Sequence, residues 1–267
     1  MIVGSKDFSV GTHVMAIINL TPDSFWSASR HTQSTVLSAV ERAVEEGAEI
    51  IDIGAQSTRP GYTEVSAREE ISRLILPLKE IKKRFSVPVS VDTYFADCAK
   101  AALDEGADMI NDIWGLTRDR NMAKTIADYG ASVCIMHNAE TQLSGDIWGA
   151  INNFLKNSLK IALDAGIDKN RICVDGGIGF AKSREQNFEL LNGYEKLSSL
   201  GYPLLLGVSR KSMFGGLPEE RLEPTLAATK LAVGKGVTFV RVHDVKENVA
   251  AIASAEKSFK ELKIWVK

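Results

Sequence analysis

The sequence has few cysteines, no surplus of charge of either sign and no long apolar run. Lysine plus arginine number 32 against 34 aspartate plus glutamate, a formal net charge of -2. No long-range field therefore draws the chain to nucleic acid or to an anionic membrane, and any anion it binds must be held by a local site. No stretch approaches the ~18 consecutive apolar residues of a membrane span. The opening residues MIVGSKDFSV lack the basic-then-apolar order of a signal peptide, so a cytoplasmic protein is expected. Three cysteines cannot all pair internally. Cys134 and Cys173 sit in strand-like apolar runs and Cys98 in an Ala-rich helical stretch, which predicts reduced, buried thiols. No C-x-x-C or similar metal-ligand spacing is present.

What is there is a regular alternation. Short apolar runs at 13–18, 49–53, 87–91, 108–113, 132–136, 171–175, 203–208 and 237–242 read as strands. Segments with apolar residues at i, i+3 or i+4 read as helices at 34–46, 66–84, 94–105, 119–129, 146–165, 184–199, 223–235 and 246–260. Gly47, Gly106, Gly130, Gly166, Gly201 and Gly236 each follow a helical run and precede a strand, where a residue tolerating positive φ ends a helix. The strands read as continuous apolar runs without alternation, as expected of a parallel sheet covered on both faces. Eight βα units fill 267 residues and predict a single-domain α/β protein, a closed (β/α)8 TIM barrel of the usual ~250 residues, in preference to an open doubly wound sheet. Pro77, inside the second helix, is expected to kink or divide it.

In such a barrel the site lies at the C-terminal ends of the strands, and here those ends are polar one after another. They carry Asn19 with Thr21, Asp52 followed by Thr58 and Arg59, Asp92, Asn111 with Asp112, His137 with Asn138, Asp175, Ser209 with Arg210 and Lys211, then Arg241 and His243. Any one alone has an ordinary explanation: Asp92 or Asp175 as a cap, His137 or His243 as a hydrogen-bonded histidine, Lys211 as a solvated charge. So many around one rim point instead to a small-molecule site. Asp92, Asn111 and Asp175 suit a flat heterocycle with adjacent N–H donors, because a carboxylate accepts two parallel N–H bonds. Arg59, Lys211, Arg241 and His243, with Asn19, suit phosphate oxygens. A heterocycle joined to phosphate answers both; nucleotides, pterin phosphates and flavin-like phosphates remain open at this level. GVSRKS at 207–212 lacks P-loop spacing, and DGGIGF at 175–180 lacks the acidic partner of a dinucleotide fold. Ser209 with Lys211 lacks a visible oxyanion feature and reads as a binding loop.

Ordered along the chain, IINLTPDSF (17–25), DIGAQSTRPG (52–61), VSVDTY (89–94), INDIWG (110–115), IMH (135–137), DGGIGFAK (175–182), LLLGVSRKSMFG (204–215) and RVHDVKE (241–247) resemble the motifs of the dihydropteroate synthase family. The resemblance spans about residues 13 to 258. It implies a TIM barrel that joins a dihydropterin-CH2-diphosphate to 4-aminobenzoate, releasing diphosphate on the folate pathway. Carried over by position, Asp92, Asn111, Asp175, Lys211 and Arg241 would hold the pterin. Asn19, Thr58, Arg241 and His243 would bind the diphosphate, with Asn19 beside its Mg2+. Arg59, Pro60, Phe180 and Ser209 would border the aminobenzoate. Lys211, Arg241 and His243 would act in catalysis by stabilising charge, without a protein nucleophile. The resemblance also implies a homodimer through late helices and competition by sulfonamides.

Three departures from the family pattern stand out. TPDSFWSAS places Ser27 where an aspartate is usual, Gln56 replaces a glutamate, and Gly176 replaces the proline of Asp-Pro-Gly, which loosens that turn. Two other functions fit part of the pattern. A methyltetrahydrofolate corrinoid methyltransferase shares the fold and the Asp/Asn pterin contacts but has no diphosphate to match Arg241, His243 and the Ser209–Lys211 cluster. A non-catalytic pterin-binding paralogue is suggested by the altered first loop.

Overall fold

The computed structural model describes residues 1–20, 30–56 and 65–265. A short antiparallel hairpin, β1 (Ile2–Val3) with β2 (Lys6–Asp7), precedes eight parallel strands that close into a barrel. These are β3 (His13–Asn19), β4 (Ile50–Gly54), β5 (Val89–Asp92), β6 (Met109–Asp112), β7 (Ser132–Met136), β8 (Ile172–Asp175), β9 (Leu204–Leu206) and β10 (Phe239–Val242). Spatial order follows chain order, and β10 pairs with both β9 and β3 to complete the ring. The helices are α1 (Arg30–Glu45), α2 (Ala67–Arg84), α3 (Ala96–Asp104), α4 (Met122–Tyr129), α5 (Ile147–Asp164), α6 (Arg184–Asn192), α7 (Leu222–Gly234) and α8 (Val245–Trp265). The expected closed barrel is therefore present. All six glycines assigned to helix ends have positive φ, from 59° at Gly130 to 102° at Gly47. The three cysteines are buried and free, and among the described residues no helix is long and apolar enough to cross a membrane.

Three local expectations are corrected. The run 184–199 is not one helix: α6 stops at Asn192 and a 3-10 segment, Tyr194–Leu200, follows. Gly193, a poor helix former, stands at that break, where the α-helix ends. The run 203–208 is a strand only over Leu204–Leu206, so Gly207 to Ser209 belong to the rim. Pro77 does not divide α2. Leu74, Leu78 and Ile81 lie fully buried on both sides of it, so the barrel wall holds the two halves of the helix on one apolar stripe. The ends of α2 are also well made. Ser66 accepts the Glu69 amide at the N-terminus, and Lys82, Lys83 and Arg84 complement the negative end of the helix dipole.

The strands do alternate, in a way their apolar composition hides. Val14, Ala16, Ile18, Ile51, Ile53, Val89, Val91, Ile110, Val133, Ile135, Val174, Leu204, Leu206, Val240 and Val242 pack outward in one core with the helices. Met15, Ile50, Met109, Cys134, Cys173, Leu205 and Phe239 point inward and form a separate plug with Met1, Val3 and Phe8 of the hairpin end. Successive side chains of a strand face opposite ways, so residues two further along also point inward. From Ile50 this leads to Asp52, from Met109 to Asn111, from Cys173 to Asp175, and from Phe239 to Arg241. The barrel interior is thus apolar at its N-terminal end and charged at its C-terminal end. Burying the plug keeps water out from below and leaves one polar mouth.

Candidate active site

The mouth is built by register. Asp92 stands opposite Asn111, Ile17 opposite Asp52, and Arg241 opposite Met15. Asp52, Asp92, Asn111 and Asp175 are at most 8% exposed. Two inward positions, Gly54 and Gly207, carry no side chain: a Cβ on Gly54 would meet Asp92 Cβ at 3.4 Å, and one on Gly207 would lie 3.8 Å from Asp175 Oδ2. Their absence leaves room for a ligand between the carboxylates.

Arg241 spans two of those carboxylates, donating from Nε to Asp52 Oδ2 at 2.6 Å and from Nη2 to Asp92 Oδ2 at 2.7 Å. Burial opposes its charge, but Asp52 and Asp92 outweigh burial and raise its pKa. Burial pushes the Asp92 carboxyl up to about 7; Arg241 pulls the other way, and Asp52, which shares the same guanidinium, adds to the rise. Oδ1 of Asp52 and Oδ1 of Asp92 are buried and accept no hydrogen bond among the described residues. Buried acceptors are rarely left so, and N–H donors on a ligand would satisfy them. Asp175 is likewise raised by burial, against Lys211 and the Gly177 amide.

The loop after β8 brings the basic side to the same place. Lys211 donates to the Ile178 carbonyl and its ammonium sits 4.7 Å over the Phe180 ring. Burial lowers its pKa to about 8, with Asp175 opposing. Lys182, to which the sequence assigned no role, donates to Gly177 O at 2.9 Å, Phe180 O at 3.0 Å and His137 Nδ1 at 2.9 Å. Burial, then Lys182, hold His137 down to about 3, so its Nδ1 is an acceptor in that contact. His137 is therefore a clamp on the loop carrying Phe180. Ser209 Oγ lies 3.0 Å from His243 Nδ1 and accepts the His243 amide at 3.1 Å. Beside them Arg210 holds Asp244 through Nε at 2.8 Å and Nη2 at 2.5 Å, a bidentate pair that ties the β9 exit to the β10 exit.

Asp92, Asn111, Asp175, Lys211 and Arg241 thus line one mouth, with Phe180, Ser209 and His243 on its rim and Asn19 ending β3 beside Gly54. Thr58, Arg59 and Pro60, together with Thr21 and Ser27, lie outside the described residues. Two other rim residues do structural work: Asp112 accepts the amides of Trp114 at 2.8 Å and Leu116 at 2.9 Å, and Asn138 accepts the Ala139 amide. Asp175 combines both kinds of role, since its Oδ1 also accepts the Gly177 amide at 2.7 Å. Gln56 accepts the Val65 amide at 3.1 Å and donates to the Tyr94 hydroxyl; an ionised glutamate could not make that donation. Asp52 was visible as a rim residue, but no motif marked it as the partner of Arg241. Lys182 and Tyr194 gave no signal, because their partners are backbone groups or lie on distant strands.

This geometry has close relatives. The family model described as pterin binding enzyme matches residues 15–243. The dihydropteroate synthase of Clostridium beijerinckii is 47% identical, over 94% of this chain and 96% of that protein. The Clostridium difficile dihydropteroate synthase, solved in the presence of pteroic acid, superposes with a TM-score of 0.92 at 43% identity, covering 95% of this chain and 99% of that one. The Xanthomonas albilineans enzyme, solved with 4-aminobenzoic acid, superposes at 0.88 with 37% identity over 93% of each chain. With its eight-stranded barrel and matching residues across nearly its whole length, the chain belongs to the dihydropteroate synthases of the pterin binding enzyme family.

Proposed function

We propose that the chain condenses (7,8-dihydropterin-6-yl)methyl diphosphate with 4-aminobenzoate to give 7,8-dihydropteroate and diphosphate. The observation that carries this reading is the pairing, in one barrel mouth, of buried carboxylates that have unused acceptor atoms with the Arg241 guanidinium in direct contact with two of them. The acidic floor matches a pterin edge rich in N–H donors, and the basic rim matches a leaving diphosphate.

Asp92, Asn111 and Asp175 hold the pterin, with Lys211 beside them. When pterin donors engage Asp92, Arg241 keeps Asp52 through Nε and turns its guanidinium to the ring and the diphosphate. Ionising the methylene C–O bond leaves positive charge on the pterin and negative charge on the diphosphate. Asp92 and Asp175 stabilise the first, Arg241 and His243 the second, and the neutral amine of the aminobenzoate attacks the methylene, its surplus proton leaving with the released diphosphate or to solvent. Phe180 and Ser209 border that second substrate, together with Arg59 and Pro60, and Thr58 joins the diphosphate contacts. No group of three or more His, Cys, Asp or Glu suited to a metal occurs among the described residues. The donor set instead fits a Mg2+ carried by the diphosphate, since Mg2+ takes few protein ligands alongside phosphate oxygens. The Asn19 side-chain oxygen would supply one of them, and when bound the ion neutralises charge on the leaving group. The same reading takes the protein as a cytoplasmic homodimer formed through the late helices, where Leu231 of α7 and Phe259 of α8 are exposed, and as a target of sulfonamides competing with aminobenzoate.

The direct test is diphosphate release from pterin diphosphate, 4-aminobenzoate and Mg2+. Release that requires both organic substrates is expected. Pterin binding with no release would leave a binding protein in place of an enzyme, and catalysis without diphosphate would favour the methyltransferase chemistry. Recognition also carries a pH signature. A carboxyl raised to about 7 is protonated below that pH, loses its charge and turns one acceptor oxygen into a donor. Pterin affinity should therefore fall as pH drops from 8 to 6, and calorimetric titration of Asp92→Asn should show a weaker but flatter profile. An equally steep profile in that variant would remove Asp92 as its source.

A further inference from the structure

We infer that Tyr194 is a positioning residue for the pterin pocket: its buried hydroxyl fixes the Asp175 carboxylate from behind and takes up the N–H of Gly176. The inference rests on the pterin-binding reading of Asp175 above. Tyr194 opens the 3-10 segment after α6, well away in sequence from any rim position, and is fully buried. Its hydroxyl lies 2.9 Å from Asp175 Oδ1 and 2.5 Å from the Leu205 carbonyl, and it accepts the Gly176 amide at 3.0 Å. One hydroxyl proton thus serves two acceptors, on β8 and on β9, which are neighbouring strands of the barrel.

Two features make this more than a filled space. The first is that Oδ1 of Asp175 is held from two sides, by Tyr194 and by the Gly177 amide at 2.7 Å. The plane of the carboxylate is then set before any ligand arrives, with Oδ2 on the side of Gly207 and the open mouth. A carboxylate free to rotate would lose conformational freedom on binding, whereas a held one has lost it already. The second is that Gly176 stands where the family pattern has proline, a residue with no N–H. The glycine introduces a buried donor beside the site, and a buried donor without a partner is destabilising. The Tyr194 hydroxyl is that partner. Tyr194 therefore satisfies the donor that the glycine adds while its own proton holds Asp175, a second task that a proline at 176 would not perform.

The test measures binding of 6-hydroxymethyl-7,8-dihydropterin, which probes the pterin pocket without the diphosphate, by calorimetry on four proteins: the parent, Tyr194→Phe, Asp175→Asn, and the double variant Gly176→Pro/Tyr194→Phe. Tyr194→Phe should weaken pterin binding ~tenfold, as expected for one lost hydrogen bond to a charged group, and change KM for aminobenzoate less than ~twofold. Asp175→Asn should weaken pterin binding by ~100-fold or more. The double variant has no orphaned Gly176 donor; it should recover melting temperature relative to Tyr194→Phe and keep the weakened pterin affinity, and it serves as the folded reference if the single variant does not fold. Parent-like pterin affinity in Tyr194→Phe while Asp175→Asn loses binding would overturn the role of Tyr194 alone. Recovery of affinity together with stability in the double variant would reduce Tyr194 to a structural residue. Parent-like binding by Asp175→Asn would overturn the underlying assignment of Asp175, and the inference with it.

Discussion

Arg241→Ala should lower the rate of diphosphate release by at least about a hundredfold, the usual scale for removing one charge-stabilising donor from an active site. Its position explains the size of the effect. Arg241 lies two residues after Phe239 on the inward face of β10, so the strand carries it from the apolar plug straight into the mouth. There it contacts Asp52 at 2.6 Å and Asp92 at 2.7 Å, which puts it within reach of both the floor and the rim proposed above for the pterin and the diphosphate. The same variant should show a second, separable phenotype. Without the guanidinium, Asp52 and Asp92 are buried carboxylates with no cation between them, and breaking a buried pair in this way costs about 3 kcal/mol. The sign of its pH dependence follows from Asp92, whose folded pKa is already raised. The folded state then binds a proton more tightly than the unfolded one, so stability falls as pH rises from the ordinary carboxyl range through the folded value and levels off above it; removing Arg241 raises that value further. Arg241→Ala should accordingly melt lower at pH 8 than at pH 6 by a wider margin than the parent does, while Arg241→Lys, which restores charge but not the fork, should fall between. Steady-state release assays and thermal melts at the two pH values measure both effects. Near-parental turnover would remove Arg241 from the mechanism.

Gly177→Ala should be the most damaging glycine-to-alanine change among the described residues. Gly177 has φ +72°, and a Cβ there would sit 1.9 Å from the carbonyl oxygen of His137. A left-handed backbone costs a non-glycine residue about 1 kcal/mol. The clash adds more, because the obstacle is main chain at the end of β7 and no rotamer change can remove it. About 3 kcal/mol of destabilisation is expected in all, unless the loop moves. If it moves, function suffers instead. Gly177 donates to Asp175 Oδ1, its carbonyl accepts Lys182, and the next carbonyl accepts Lys211. Asp175, Lys182 and Lys211 would all be released together, and pterin affinity should fall ~tenfold or more. Gly179 offers the contrast. It too has positive φ, at +84°, but its Cβ would meet Lys211 Cδ at 2.9 Å, part of a flexible side chain. Gly179→Ala should therefore be milder in melting temperature. Denaturant titration and pterin calorimetry on the two variants check the order; equal losses would show that the His137 carbonyl is not the obstacle.

The two variants also mark the boundary of what could be read from the chain. Arg241 was identifiable as an anion-binding cation because the strand pattern placed it on the rim, yet its partners were not. Asp52 and Asp92 are 189 and 149 residues away in sequence, and only barrel closure brings β10 beside β3 and faces it toward β4 and β5. The glycine of 176–177 was visible as a turn, but the backbone it approaches belongs to a different strand. Asp112 shows that a rim position alone does not assign a role, since its carboxylate folds back on its own loop.

Length, the eight alternations and the glycine stops sufficed to determine the closed barrel, its polar end and the chemical types gathered there, because periodicity and helix termination are local properties of a chain. The division of each strand into an inner and an outer face could not be seen, since both faces are apolar over the lower barrel and the difference lies in what they pack against. Only the tertiary structure decided which carboxylate Arg241 holds, that Lys182 and His137 clamp the Phe180 loop, and that Tyr194 stands behind Asp175. Each of these depends on distance across the barrel, where hydrogen bonds and charge act through space and take no account of separation along the chain.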